Sequence, residues 1–303
     1  MNSIIQEKKK RKQGLLWFGS GFLFAILWSS ASTATKIGLQ SAQPFVISIV
    51  RFFIAGGIML LISHGLRKKP MPQKKEWKQL AIYGLLNISI YLGMYVVAMQ
   101  DVSPGLGSLA VATNPVLISI ISSIFFSKPV SGRALLSLTV CAAGVFLAAY
   151  PLLHTSHASP KGLLILFTSM LAYSAGALYF STKKWNELDI LTINGWQTLL
   201  GGIFLLPVAL LTYKHNANMF DLRFFVCILW LAIPVSIIAV QIWLFLLKDN
   251  LVTASFWLFL SPLSGYIIAN IFVKEPIGIY TIVGMGLVIM GLYLVQVKKK
   301  KAA

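Results

Sequence analysis

The sequence predicts an all-α membrane protein. It would have ten transmembrane helices, arranged as two inverted five-helix repeats, with both termini cytoplasmic. Three observations carry this reading. First, the 303 residues are 57% hydrophobic and 11% charged, with a mean hydropathy of +0.79. Soluble domains hold about 25% charged residues, so this chain has too little polar surface to cover a globule in water. Second, apolar runs recur at roughly the ~20 residues that a helix needs to cross ~30 Å of hydrocarbon. Third, the second half of the chain repeats residues of the first at a fixed offset.

The runs lie at 15–38, 44–64, 78–99, 103–126, 132–150, 161–181, 190–213, 223–247, 251–272 and 277–297. Residues 1–14 and 298–303 are basic tails, and no segment between the runs is long enough for a soluble domain. The first run begins after Lys8–Lys10, Arg11 and Lys12 and contains a stretch of small residues from Ser29 to Ala34. A cleaved signal peptide would look similar. The run continues to Leu39, however, and has a counterpart in the second half, so it reads as a retained helix. The second and third runs are separated by Arg67, Lys68, Lys69, Lys74, Lys75 and Lys78. Cys141 in the fifth run and Cys227 in the eighth lack a CxxC or His neighbour and read as small apolar residues.

Orientation follows from the basic residues. With the N-terminus inside, the inner segments hold 20 Lys and Arg and the outer ones hold 4, namely Lys161, Lys214, Arg223 and Lys274. Such an excess marks the cytoplasmic side. The formal charge of +18 therefore belongs to membrane flanks, where it meets anionic headgroups. Nucleic acid is not an expected partner, because no basic face is interleaved with aromatics.

At an offset of 147 positions Ser108 meets Ser255, Pro115 meets Pro262, Pro129 meets Pro276 and Gly144 meets Gly291. At 146, Arg51 meets Gln197 and Gly56 meets Gly202. The repeats would span 15–150 and 161–297. Because each holds five helices, the second must enter from the opposite side, as in many secondary transporters.

Further marks are Trp28-x7-Lys36, Pro44-x6-Arg51-Phe52, the Asn114-Pro115 and Ser261-Pro262 steps, and Val273-Lys274-Glu275-Pro276 followed by Gly284 and Gly291. On these the chain resembles the EamA-type ten-helix transporters of the drug/metabolite transporter superfamily, over about 14–297. The resemblance implies an exporter of small metabolites. One departure stands out: the family often carries a Glu after helix four, as Glu275 follows helix nine, and here Lys128 takes that place.

Polar residues inside spans are costly in lipid and tend to face protein or a water-filled cavity. Trp28, Ser32 and Lys36 recur at every fourth residue of helix one, as do Asn87, Tyr91 and Tyr95 in helix three. Helix two carries Ser48 and Arg51, helix seven Asn194 and Gln197, and helix eight Gln241. These stripes suit a metabolite cavity, or interhelical hydrogen bonding. The candidate substrate-binding set is Trp28, Ser32, Lys36, Arg51, Asn87, Tyr91, Tyr95, Asn114, Gln197, Gln241 and Ser261. Arg51 reads either as a carboxylate anchor or as a tie for freed backbone carbonyls. Lys36 reads either as part of the site or as a side chain snorkelling to the headgroups. Pro115 and Pro262 deny a hydrogen bond to Val111 and Leu258 and are candidate helix breaks. Pro207 and Pro234 read as packing features.

All eight acidic residues sit at or beyond the ends of runs, which weighs against a proton-coupled pump for cations. His154 and His157 have no third ligand, so no metal is expected, nor any other cofactor. A membrane-embedded lipid enzyme would need a nucleophile and base at depth, and no such pair is evident. The reading is a monomeric secondary transporter in the bacterial inner membrane that exports amino acids or related anionic or zwitterionic compounds by alternating access. Alternatives are a lipid or nucleotide-sugar translocator and a cationic multidrug exporter.

Overall fold

The computed structural model describes residues 2–127, 132–154, 158–186, 188–249, 257 and 260–296. Their regular structure is helical; the β-type pairing among them is a single isolated bridge between Val102 and Ala158. Lys128, Pro129, His157, Ser255, Leu258 and residues 298–303 lie outside the described residues.

In chain order the elements are α1 (Asn2–Gly38), α2 (Pro44–Leu60) with a π-helical end Leu61–Leu66, and α3 (Lys74–Gly84). A π-helical stretch Leu85–Leu92 joins α3 to α4 (Gly93–Asp101). Then come α5 (Pro104–Ala112), α6 (Asn114–Phe125), α7 (Gly132–Ala149), α8 (Pro160–Thr182) and α9 (Ile190–Thr212). A second long π-helical stretch, Leu231–Ala239, joins α10 (Leu222–Trp230) to α11 (Val240–Asp249). Last are α12 (Leu260–Val273) and α13 (Ile279–Gln296).

Local chemistry sets the starts. Pro44, Pro104 and Pro160 stand in the first turn of their helices, where a missing N–H removes no helical bond. The Ser159 hydroxyl accepts from the Gly162 amide at 3.0 Å. The Asp221 carboxylate accepts from the Phe224 amide at 2.9 Å, and that bond holds its carboxyl below the ordinary range.

Six described helices are long and apolar enough to cross a membrane: Pro44–Leu66, Lys74–Asp101, Gly132–Leu153, Pro160–Thr182, Ile190–Thr212 and Leu222–Trp243. The pair α5–α6, bent by about 40°, makes a seventh if taken as one span. The protein is thus a multi-pass membrane protein. Lipid as solvent also explains its surface. Leu210 and Leu211 are 74% and 87% exposed, whereas Ser48, Thr192, Asn194 and Gln197 are buried.

Two features depart from ten plain runs. The fourth run is broken at Thr113, whose N–H bonds Ala110 O at 3.0 Å in a tight turn, and α6 restarts with Pro115 in its first turn. The third and eighth runs each hold a π-helical stretch, and at the 147 offset Leu85–Leu92 corresponds to residues 232–239. Pro234, read from sequence as a packing feature, lies in the second of these. It has no N–H to give Trp230, which favours the wider turn there.

Two helix pairs pack most extensively. Helices α7 and α13 run antiparallel: Ser137 Oγ donates to Gly291 O at 2.5 Å, Cys141 Sγ faces Val288 O at 3.7 Å, and Gly144 abuts Gly284. Helices α2 and α9 do the same, with Phe52 and Phe53 at Gly202, Gly56 at Leu199, and Leu60 at Gly195. Ser63 and Thr192 extend that seam with a hydrogen bond of 2.5 Å. Glycine matters here because its missing side chain lets two backbones touch.

Candidate functional site

A cavity of about 100 Å³ opens in the middle of the bundle, between α1, α2, α5, α8, α9 and the two π-helical stretches. Helix α1 contributes Trp28 and Ser32, spaced one turn apart so that they share a face. Asn87 and Tyr91 come from the first π-helical stretch and Tyr95 from α4. Opposite them stand Arg51 and Phe52 of α2, Asn194 and Thr198 of α9, and Ser236 of the second stretch. Tyr173 of α8 closes one side, its ring 4.9 Å from that of Tyr91. The Ser32 and Tyr95 hydroxyls bond at 2.6 Å and tie α1 to α4.

Arg51 is the only charged residue in the cavity wall among the described residues. It is 5% exposed. Its Nε donates to Ser236 Oγ at 3.1 Å, and its guanidinium carbon lies 5.8 Å from the Phe52 ring centroid. Its two terminal nitrogens hold no hydrogen bond among the described residues. Ser236 Oγ in turn donates to Leu231 O at 2.9 Å. A cation at the centre of a spanning helix costs roughly 2.5–3.5 kcal/mol on insertion scales.

A chain of amides runs behind the wall. Asn194 Nδ2 donates to Ser236 O at 3.2 Å, Gln197 Nε2 to Asn194 Oδ1 at 2.8 Å, and Asn87 Nδ2 to Gln197 Oε1 at 3.1 Å. The Asn87 Oδ1 atom is buried and has no partner among the described residues. Arg51 and Gln197, which correspond at the 146 offset, thus reach the same network through Ser236 and Asn194.

Of the residues singled out from sequence, Trp28, Ser32, Arg51, Asn87, Tyr91 and Tyr95 line the cavity. Gln197 stands behind it. Lys36 does not line it and does not snorkel. Its Nζ donates to Met99 O, Gln100 O and Val102 O at 2.8, 3.0 and 3.1 Å, which closes the carbonyl end of α4. Asn114 and Ser261 are buried outside the lining, and each has a side-chain oxygen without a partner among the described residues. Ser108 Oγ donates to the Ser261 carbonyl at 3.0 Å. Gln241 lies beside the lining residue Val240, with its Nε2 unpartnered among the described residues. Pro115 follows the break in the fourth run. Pro262 is the third residue of α12, and Leu258, the carbonyl it would leave without a donor, lies outside the described residues.

Sequence reasoning left out Tyr173, Thr198 and Ser236, and gave Asn194 no place in the site. One signal for Ser236 was present: the 147 offset pairs it with Ser89, so each π-helical stretch carries one serine. No comparable mark points to Tyr173.

Lys36 belongs with a second cluster that clamps the α4–α5 turn. Lys274 adopts φ 57°, which turns the chain so that the Glu275 amide reaches Ala269 O. The buried Glu275 carboxylate accepts from Ser103 Oγ at 2.5 Å and from the Gly105 amide at 2.8 Å. A cation therefore sits at the end of α4 and an anion at the start of α5, each where the helix dipole favours it. Lys36 comes from the first half of the chain and Glu275 from the second.

Comparisons with known proteins agree with this architecture. The model of the EamA-like transporter family matches twice, over residues 13–150 and 160–297. Protein PecM of Dickeya dadantii is 26% identical, over 91% of this chain and 90% of its own. The uncharacterized transporter YvbV of Bacillus subtilis is 24% identical, over 91% and 90%. The uncharacterized inner membrane transporter YedA of Escherichia coli is also 24% identical, over 95% and 93%. One solved crystal structure superposes with a TM-score of 0.65, covering 91% of this chain and 94% of that one, at 15% identity. That last likeness bears on the fold alone.

Proposed function

The chain belongs to the EamA-like transporter family, and from that premise we propose that it is a secondary transporter exporting small anionic or zwitterionic metabolites, amino acids among them, by alternating access. The observation that carries this reading is Arg51, buried in the wall of a mid-bundle cavity with its two terminal nitrogens free of protein partners among the described residues. A guanidinium so placed suits a carboxylate, which it binds through two parallel hydrogen bonds. The aromatic faces of Trp28, Phe52, Tyr91, Tyr95 and Tyr173 suit an apolar body.

We further propose ten crossings in two inverted repeats, with both termini cytoplasmic. The family match falls once on each half. The contacts of α7 with α13 exchange under the 147 offset: Gly144 with Gly284 maps onto Gly291 with Ser137, and both pairs touch. In an antiparallel pair such an exchange supports a twofold axis across the helices, which for spanning helices lies in the plane of the membrane. Two equivalent halves open to either side at similar cost. The cavity volume of about 100 Å³, below the ~300–1,000 Å³ of drug-sized sites, favours a small solute over a lipid or a nucleotide sugar. The site of action in this reading is a bacterial inner membrane, and a single copy suffices.

The test is the metabolite content of the medium around cells expressing the protein, set against cells carrying an empty vector. A selective rise in one or a few carboxylates or amino acids is the expected result. An unchanged profile, with the protein verified in the membrane, overturns export.

A further inference from the structure

Arg51 also bears on what drives the cycle, an inference that rests on the transporter reading. Its charge has no compensating carboxylate in the cavity among the described residues. The described acidic side chains lie elsewhere. Glu76 accepts from the Gln73 amide and from Asn186 Nδ2 between α3 and the segment before α9. Asp189 lies 3.7 Å from Arg67, Asp221 caps α10, and Glu275 caps α5. Asp101 ends α4. Among the described residues, the cavity wall therefore carries one positive charge and no negative one.

We propose that the substrate is a monoanion that enters as the counter-ion of Arg51, and that the membrane potential drives its export because the empty carrier returns with Arg51 unpaired. The logic is one of charge. When the anion is bound, the cavity holds no net charge, and its exposure to the outside is indifferent to voltage. Once the anion has left, the cavity holds +1, and an inside-negative potential draws that charge back to the inner side. Each cycle moves one negative charge outward with no coupling ion. A potential of 100 mV then sustains a roughly 50-fold outward concentration ratio of a monoanion.

A zwitterion behaves differently. Its carboxylate neutralises Arg51, but its ammonium restores the charge, so loaded and empty cavities are alike and voltage gives no direction. Among the described residues, no carboxylate in the wall stands ready to hold that ammonium. The substrate class thereby narrows from anionic or zwitterionic to anionic.

The experiment is charge displacement in planar bilayers holding the full-length protein. Voltage steps are applied with no solute present, then with benzoate, then with benzamide as its neutral isostere, then with L-phenylalanine. Wild type should show a transient, saturating displacement. Benzoate should suppress it, and benzamide and L-phenylalanine should not. Arg51→Gln should lose the displacement, and Arg51→Lys, which keeps the charge, should retain it. If Arg51→Gln does not fold, the benzoate series on wild type decides the matter. No displacement in wild type, an equal displacement in folded Arg51→Gln, or no suppression by benzoate overturns the proposal. Protein that raises a metabolite in the medium yet shows no displacement keeps the transporter reading and loses this one.

Discussion

Gly144 and Gly284 face each other across α7 and α13 so closely that a Cβ on either would meet the other's carbonyl oxygen, at 2.7 Å from Gly144 and 2.5 Å from Gly284. Both neighbours are backbone, which cannot rotate aside. Gly144→Ala should force the two helices apart and lower stability by about 1–3 kcal/mol, the usual range for overpacking. Gly286→Ala on the same helix α13 meets nothing within 4 Å. It should be neutral or stabilise by up to about 1 kcal/mol through helix propensity. Thermal unfolding of the two variants in detergent tests the seam, and equal midpoints would refute it.

Ser236 orients Arg51 through the one hydrogen bond that the guanidinium makes to protein among the described residues. Hydrogen bonds to charged groups contribute about 1.5–3 kcal/mol. In Ser236→Ala the guanidinium should swing more freely, and the apparent affinity for a carboxylate should fall about 10- to 100-fold. Ser236→Thr keeps the hydroxyl and should keep most of the affinity. Benzoate titration of each variant, by calorimetry, makes the comparison; equal affinity in wild type and Ser236→Ala would leave Arg51 oriented by packing alone.

Lys36 and Glu275 should act on stability and leave solute affinity alone. Lys36→Met strips three carbonyls of their donor, and Glu275→Gln weakens two bonds at the start of α5. Each should cost about 1–3 kcal/mol. Because both hold the same turn, their effects should be non-additive in a double-mutant cycle. A Lys36→Met variant with normal stability but lost solute binding would return Lys36 to the site.

The bend at Thr113 needs Pro115, whose missing N–H leaves Val111 O without its helical partner. Pro115→Ala restores that donor and allows α5 and α6 to straighten into one helix. Turnover should fall several-fold while solute affinity stays within about twofold, since Pro115 does not line the cavity. Paired efflux rates and binding curves separate the two effects. An unchanged rate would make the bend a packing feature.

Much of the site was legible because a polar residue in a lipid-facing helix is conspicuous. Arg51, Asn87, Tyr91 and Tyr95 are visible against leucines and valines, and their spacing puts them on shared faces. Lys36 has the same signature but serves a different end. Its acceptors are backbone carbonyls more than 60 positions away, and a carbonyl leaves no trace in residue type. The same limit hid Tyr173, which is one of several tyrosines until α8 turns it toward Tyr91.

Composition, run length and the repeat offset determined that this chain lives in lipid, that its regular structure is helical, and that its halves are related. These are properties of side-chain chemistry counted along one dimension, and the hydrophobic effect reads them without reference to partners. Only the tertiary structure decided which polar residues share a cavity, that Lys36 and Glu275 clamp one turn from opposite halves, and that Gly144 meets Gly284. Those outcomes depend on which helix faces lie against each other, and that is settled by close packing between segments 140 and more positions apart, where one missing methyl group sets the distance.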